Sequence, residues 1–343
     1  MICLSRIFWS NMTKRVARII GLGKFLPKTI LTNQQLEKMV ATSDEWIVSR
    51  TGIKERRLAS KEEHTSFLGK EAAKLALEDA KVAPDQIEMI ICATMTPDYI
   101  TPSTAALIQK ELHIPPGAAA YDLQAACTGL LYAMMQAKAL IEAGMYTHIL
   151  IIATEKMSTV IDYEDRNTCV LFGDGAAACV MSSTGKGFKI DTISLGADGE
   201  QCDLIYIPGG GSRQPATEAS VKAKDHFVKM EGREVFKHAV RRMSGSIKAC
   251  LEKANLKESD IAWLIPHQAN KRIIDAIAEQ FKIPEERIFM TLHKYGNTSG
   301  SSVGIALTEL CEEKNIQSGE HLLLVAFGAG LTWGAAILTK EID

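Results

Sequence analysis

The chain has 343 residues, 46% of them hydrophobic and 23% charged, with a net charge of -2. That length exceeds what one hydrophobic core usually fills, the composition is that of a soluble globular protein, and near-neutrality excludes global attraction to nucleic acid or an anionic membrane. The eight cysteines and eight histidines are scattered, without C-x-x-C or H-x-x-x-H pairs, which speaks against a disulfide framework and a structural zinc site and for a reducing, cytoplasmic setting.

Residues 1–11 carry an apolar stretch too short for a signal peptide, and Met12 leads directly into a first strand, so 1–11 are expected to be a disordered or mis-started tail. No run reaches the roughly 18 apolar residues of a membrane span. "TSDEWIVSRTG" predicts a helix capped by Thr42 or Ser43, with Trp46 and Arg50 one turn apart. Such a pair sandwiches a planar base, or is a surface Trp beside a snorkelling Arg. "IEMIICA" and "HILIIA" read as strands covered on both faces. Between them, "DLQAACTGLLYAMMQ" predicts a helix buried on every side, with Cys127 in or just before its first turn. That thiol is either a small core residue or a nucleophile at a helix N-terminus.

The chain repeats itself. "LEDAKVAPDQIEMIICAT", which starts at Leu77, aligns without gaps on "LEKANLKESDIAWLIPHQ", which starts at Leu251. A nearly equal displacement carries "HILIIA" at His148 onto "HLLLVA" at His321, and a shorter one carries "LFGDGAAACVMS" onto "AFGAGLTWGAAILT". The first half therefore carries an insertion near Thr154–Leu171. Alternating strands and helices imply α/β layers, and two such halves about a pseudo-dyad imply five layers, α/β/α/β/α. The expected boundaries are 12–185, carrying Cys127, and 186–343, carrying His267 and Asn297. The same displacements bring the neighbourhoods of Cys127, His267 and Asn297 toward the pseudo-dyad.

"DLQAACTGL", "LIPHQANKRI", "KYGNTSGSS" and "AFGAGLTWGAA", in this order and spacing, resemble the active-site segments of 3-oxoacyl-[acyl-carrier-protein] synthase III, the initiating condensing enzymes of fatty acid synthesis. "TSDEWIVSRTGIKERR" resembles that family's early signature, and the similarity runs from about Ala17 onward. The resemblance implies a thiolase-like fold and condensation of an acyl-CoA primer with malonyl carrier protein through an acyl-Cys127 intermediate. A helix N-terminus lowers a thiol pKa and favours thiolate. It further implies an oxyanion hole from the N–H groups of Cys127 and Ala329, and His267 and Asn297 as neutral donors to the malonyl thioester. No metal or redox cofactor is implied; coenzyme A arrives as part of the substrate.

By the same resemblance Thr42, Trp46 and Arg50 belong to the coenzyme A mouth. Arg166, Met230, Gly232, Arg233, Phe236 and Asn270 follow along the pantetheine channel, Arg233 standing where the family usually has Asn. Gln268, Ala269, Asn270, Lys271, Arg272 and Lys237 are expected to meet the acidic carrier protein. Thr101 is expected to close the acyl pocket of a partner subunit in a homodimer, leaving room for primers longer or more branched than acetyl. The alternatives are a synthase of a secondary pathway and a cysteine thioester hydrolase with His267 as general base. A degradative thiolase would need a second cysteine in the turn that here reads "AFGAGL".

Overall fold

A computed structural model of the chain describes residues 15–341; the tail expected at 1–11 lies outside them. Nine strands carry the fold: β1 (Arg18–Phe25), β2 (Met89–Ala93), β3 (Ala119–Leu123), β4 (His148–Glu155), β5 (Gly175–Ser182), β6 (Phe188–Ala197), β7 (Ile261–Pro266), β8 (His321–Gly328) and β9 (Thr332–Lys340). They are ordered β7-β8-β9-β6-β1-β5-β4-β2-β3. β2 and β4 are parallel, β4 is antiparallel to β5, and β5 to β1. The same run returns as β7 parallel to β8, β8 antiparallel to β9, and β9 to β6. The two runs touch only where β1 meets β6, at Arg18↔Lys189 and Ile19↔Phe188. β3 pairs in parallel with β2, and the corresponding edge of β7 carries only an isolated parallel bridge, Leu264↔Ile288, among the described residues.

The helices that matter for the site are α1 (Asp44–Thr51), α2 (Thr65–Ala80), α3 (Thr104–Glu111), α4 (Gly129–Glu142), α5 (Gly232–Ala254), α6 (Lys271–Phe281) and α7 (Ser302–Glu313). α4 packs on strands of both runs, and so does α7, which makes this pair the middle layer. α2 and α3 cover the outer face of the first run, and α5 with α6 that of the second. The buried side chains divide accordingly: one cluster surrounds α4 and α7, one lies under α2 and α3, and one under α5 and α6. β4 and β8 are buried almost throughout because helices lie on both their faces.

α4 is buried in its first turns, at Leu130, Leu131, Ala133 and Met134, but Gln136 and Ala139 are exposed. The expectation of burial on every side therefore holds only at the end that carries Cys127. The far end emerges from between the sheets, where solvent reaches it. Leu131→Ala should leave a cavity in the middle layer and cost about 2–5 kcal/mol, read as a lower denaturant midpoint at unchanged slope.

Candidate active site

Two short turns meet at the centre of the molecule. Ala126–Thr128 precedes α4, and its counterpart in the second half, Ser299–Ser301, precedes α7. Each opens on a residue in the left-handed region, Ala126 (φ 46) and Ser299 (φ 52), a conformation that costs a non-glycine residue energy and persists where surrounding packing enforces it. A Cβ at Gly300 would lie 3.0 Å from the Ala126 carbonyl oxygen, and one at Gly328 only 2.8 Å from both N and Cβ of Cys127. The turn after β8 is thus pressed against the Cys127 backbone at a distance only glycine permits. The Thr128 hydroxyl lies 2.8 Å from that of Thr332, which donates to the Ala329 carbonyl at 2.9 Å, tying the two loops together.

A cavity of about 1380 Å³ opens on this junction. Cys127, His267, Asn297 and Ala329 all line it. Cys127 Sγ is 3.6 Å from Ser299 Oγ. Burial pushes this thiol up to about 12, opposed by the Ser299 contact. Desolvation thus opposes the thiolate expected at the helix end and favours the thiol. Among the described backbone hydrogen bonds, the N–H groups of Cys127 and Ala329 have no acceptor.

His267 follows the last residue of β7, its N–H donating to the Val325 carbonyl at 2.7 Å. Its Nδ1 is 2.6 Å from Ser302 Oγ, which accepts from the Gln268 N–H at 3.4 Å. With that hydroxyl donating to Nδ1, the proton of the neutral ring lies on Nε2. Burial lowers the His267 pKa to about 4, so the ring is neutral near pH 7. Asn297 is pinned by its N–H to the Leu171 carbonyl at 2.8 Å, and its carbonyl accepts from Gly173 at 3.0 Å. Its Oδ1 accepts from the Ser299 N–H at 2.8 Å, so the amide NH₂ remains to donate. Both side chains are neutral hydrogen-bond donors whose acceptor sides are occupied.

Toward the mouth, Trp46, Arg50, Met230, Gly232, Arg233, Phe236 and Asn270 line the cavity as expected. Ser43, not Thr42, caps α1, accepting from the Trp46 N–H at 3.1 Å. Thr42 does not line the cavity, and its hydroxyl is buried without a partner. The guanidinium stacked on Trp46 is that of Arg166, 3.9 Å from the ring centroid, rather than that of Arg50. Arg166 comes from the insertion between β4 and β5, which folds back over α1.

Ala269 and Arg272 line the cavity, Arg272 lying over the Phe236 ring, while Asn270 caps α6 by accepting from the Arg272 N–H. Lys237 and Lys271 are exposed and pair with Glu234 and Asp275. Gln268 is a correction. It is only 1% exposed, donates to the Pro266 carbonyl at 2.6 Å and accepts from the N–H groups of Thr291 and Leu292. A side chain so occupied braces the His267 loop and is out of reach of a docking protein. Thr101 is exposed and outside this cavity. Its loop is anchored to the Cys127 strand by Asp122, whose carboxylate accepts from the N–H groups of Thr104 and Ala105.

Sequence reading missed Ser299, Ser302 and Glu155. The serines fall inside the quoted "GNTSGSS", where their hydroxyls look like turn chemistry. Glu155, at the end of β4, is fully buried and accepts hydrogen bonds from Thr94, Met95, Thr96 and Ser299. The sign that marked it was a lone acid closing an otherwise apolar strand. Among the described residues, no three His, Cys, Asp or Glu side chains group to hold a metal, and no helix is long and apolar enough to cross a membrane.

Two like halves in five layers, with a cysteine at the head of the central helix, define an acyl-transferring enzyme of the thiolase-like class. A family profile described as 3-oxoacyl-[acyl-carrier-protein (ACP)] synthase III matches residues 121–199, and the profile of that family's C-terminal part matches 251–340. The chain is 58% identical to the beta-ketoacyl-[acyl-carrier-protein] synthase III of Chlamydia muridarum over 94% of its own length and 99% of the relative's. It superposes on the crystal structure of the Aquifex aeolicus 3-oxoacyl-[acyl-carrier-protein] synthase III with a TM-score of 0.86, at 43% identity, covering 94% and 99% of the two chains. On the priming beta-ketosynthase of the R1128 polyketide pathway the TM-score is 0.87, at 32% identity and 96% and 97% coverage. The chain belongs to the beta-ketoacyl-[acyl-carrier-protein] synthase III family, acyltransferases that carry out the initiating condensation of fatty acid synthesis.

The buried carboxyl makes a prediction about stability. Burial raises Glu155 from 4.5 to about 7, so between those values the native state holds a proton that the unfolded chain releases. Its contribution to stability is full below pH 4.5 and is lost as pH rises through 7. Glu155→Gln lacks this dependence. Its unfolding free energy relative to wild type should rise by up to about 1.4 kcal/mol per pH unit between pH 4.5 and 7 and then level off, as measured by denaturant titration.

Proposed function

We propose that Cys127 takes the acyl group from an acyl-CoA and passes it to the enolate of a malonyl carrier protein. Cys127 sulfur attacks the thioester carbonyl; the oxyanion is met by the N–H groups of Cys127 and Ala329, and coenzyme A leaves. The malonyl thioester then enters the same cavity. Nε2–H of His267 and the Asn297 amide donate to its carbonyl oxygen, which gathers charge as carbon dioxide departs. The enolate carbon attacks the acyl-Cys127 carbonyl, releasing a 3-oxoacyl thioester. These steps use the protein's own groups and call on no metal or redox cofactor. The observation that carries them is the locked pair His267 and Asn297: both are neutral, and both have only donors left to offer. A cysteine hydrolase would need His267 as an acceptor of protons, whereas a ring whose Nδ1 accepts from the Ser302 hydroxyl offers a proton on Nε2.

We assign the coenzyme A nucleotide to Trp46, Arg50 and Arg166, and the carrier protein to the rim of Ala269, Asn270, Lys271, Arg272 and Lys237. The chain divides near Lys186, in the connection between β5 and β6, into the halves 12–185 and 186–343. A homodimer is favoured by the loop beside Thr101, where Tyr99 is 60% and Ile100 95% exposed, apolar surface of the kind a partner covers. The setting is the cytoplasm, where acyl-CoA and carrier protein meet.

Mixing the protein with acetyl-CoA and carboxyl-labelled malonyl carrier protein should release labelled carbon dioxide and a 3-oxoacyl product; release of acetate alone would establish hydrolysis instead. Cys127→Ser should abolish acyl transfer from coenzyme A. Asn297→Ala should acylate normally but lose about 10²–10³ in carbon dioxide release, the usual loss for one oxyanion donor. A loss of acylation alone in both variants would overturn this division of roles. If Thr101 borders a partner's acyl pocket, wild type should turn over butyryl- and isobutyryl-CoA as well as acetyl-CoA. Thr101→Phe should then lower kcat/KM for the longer primers about 10-fold or more relative to acetyl-CoA.

A further inference from the structure

Acylation of Cys127 must displace a proton, and no group in the steps above receives it. The thiol is protonated at rest, and His267 presents a donor rather than an acceptor. Glu155 has no part in either step, yet it sits within two hydrogen bonds of the sulfur. Its Oε1 is 3.3 Å from Ser299 Oγ, and Ser299 Oγ is 3.6 Å from Cys127 Sγ. Ser299 is fixed for this contact, since its left-handed backbone donates N–H to Asn297 Oδ1 while its hydroxyl points between thiol and carboxyl. Glu155 Oε2 accepts from Thr96 Oγ1 at 2.6 Å and from Thr94 Oγ1 at 3.3 Å, and Met95 N–H lies 3.2 Å from both oxygens. Only Oε1 faces Ser299.

The titratable groups facing Glu155 are Cys127, across Ser299, and Cys92 on β2. Among the described residues no lysine, arginine or histidine pairs with it. A carboxyl group buried beside a cavity without a cation, but with one hydroxyl bridging it to the nucleophile, is placed to exchange a proton rather than to hold structure by charge.

We propose that Glu155, acting through the Ser299 hydroxyl, removes the Cys127 proton as the thiol is acylated and returns it when the acyl group leaves. In the first step the S–H proton moves to Ser299 Oγ while the Ser299 proton moves to Glu155 Oε1. The sulfur pair forms the bond to the thioester carbonyl carbon. The bond from that carbon to the coenzyme A sulfur breaks, and the departing thiolate takes a proton from water. In the condensation the bond from the acyl carbon to Cys127 sulfur breaks, and the Cys127 thiolate is reprotonated from Glu155 by the reverse path. Ser299 contacts the reacting sulfur; Glu155 acts through it as a positioning and proton-holding residue. The inference rests on the reading of Cys127 as the acylated group.

The test is the rate of acyl-enzyme formation with acetyl-CoA, by rapid quench and mass analysis of the Cys127 peptide, from pH 5.5 to 9. Wild type should rise with an apparent pKa near 7 and then level off. Glu155→Gln and Ser299→Ala should acylate about 10²-fold or more slowly at pH 7, the range of a lost general base. They should lose the inflection, and their rates should climb with pH as the thiol ionises without help. A variant slowed uniformly but keeping the wild-type inflection, or a wild type without one, would overturn the relay while leaving acylation of Cys127 intact. If the wild-type acyl group is found elsewhere than on Cys127, both readings fail. The two variants remove different ends of the same path, so each checks the other against a folding defect.

Discussion

The close approach of two glycines to the cysteine loop is the constraint on which the site depends. Gly300 lies tightly against the Ala126 carbonyl, and Gly328 lies against the Cys127 backbone at a separation that leaves no room for a Cβ. Because those contacts are made, the turns before the two central helices touch, and Cys127, Ser299 and the Ala329 N–H share one small volume. The middle layer enforces the approach: α4 and α7 are each clamped between strands of both runs, so their N-termini are delivered to a fixed place. Sub-ångström shifts at such a junction have nowhere to go in a close-packed interior.

Duplication explains the architecture, and divergence at equivalent positions explains the chemistry. The displacement that carries His148, the first residue of β4, onto His321, the first of β8, also carries Cys127 onto Gly300, Glu155 onto Gly328, and Gln124 onto Asn297. At the first two of these pairs one half carries a polar side chain and the other a glycine, Gly300 lying against the Ala126 carbonyl and Gly328 against the Cys127 backbone. The gapless alignment of the strands before the site puts Gln268, the neighbour of His267, on Thr94, a residue whose hydroxyl serves Glu155. The pseudo-dyad therefore sets two different polar networks face to face, one ending in a carboxyl and one in an imidazole.

Much of this was legible in the sequence. The correspondence between "HILIIA" and "HLLLVA" reports strands that occupy the same place in each run, and the glycine-bounded "AFGAGL" reports a turn that must come close to something. Strand-end positions are harder, because one residue decides the face. His267 and Gln268 are adjacent, yet one lines the cavity and the other points into backbone carbonyls and N–H groups beneath it. Contacts made by an insertion are not encoded in any local period, which is why Arg166, far along the chain from Trp46, was not paired with it from the pattern while Arg50 was. Glu155 was hidden for another reason. A single acid at the end of a buried strand has no local partner to announce it, and its partners are hydroxyls from β2's C-terminal loop and from the other half of the chain.

A common physical cause acts on the three titratable groups of the site. Burial raises the thiol, lowers the imidazole and raises the carboxyl, so the charged form of each is disfavoured. A cavity able to hold an acyl chain must be largely apolar, and an apolar cavity cannot carry standing charge cheaply. In the proposed reaction the oxyanion and the enolate form among fixed N–H groups and neutral donors that need no reorientation. In the proposed reaction a cationic His267 would bind the malonyl carboxylate and oppose its loss as carbon dioxide. A neutral ring donating from Nε2 would instead direct its help to the thioester oxygen, where the proposed reaction gathers its charge.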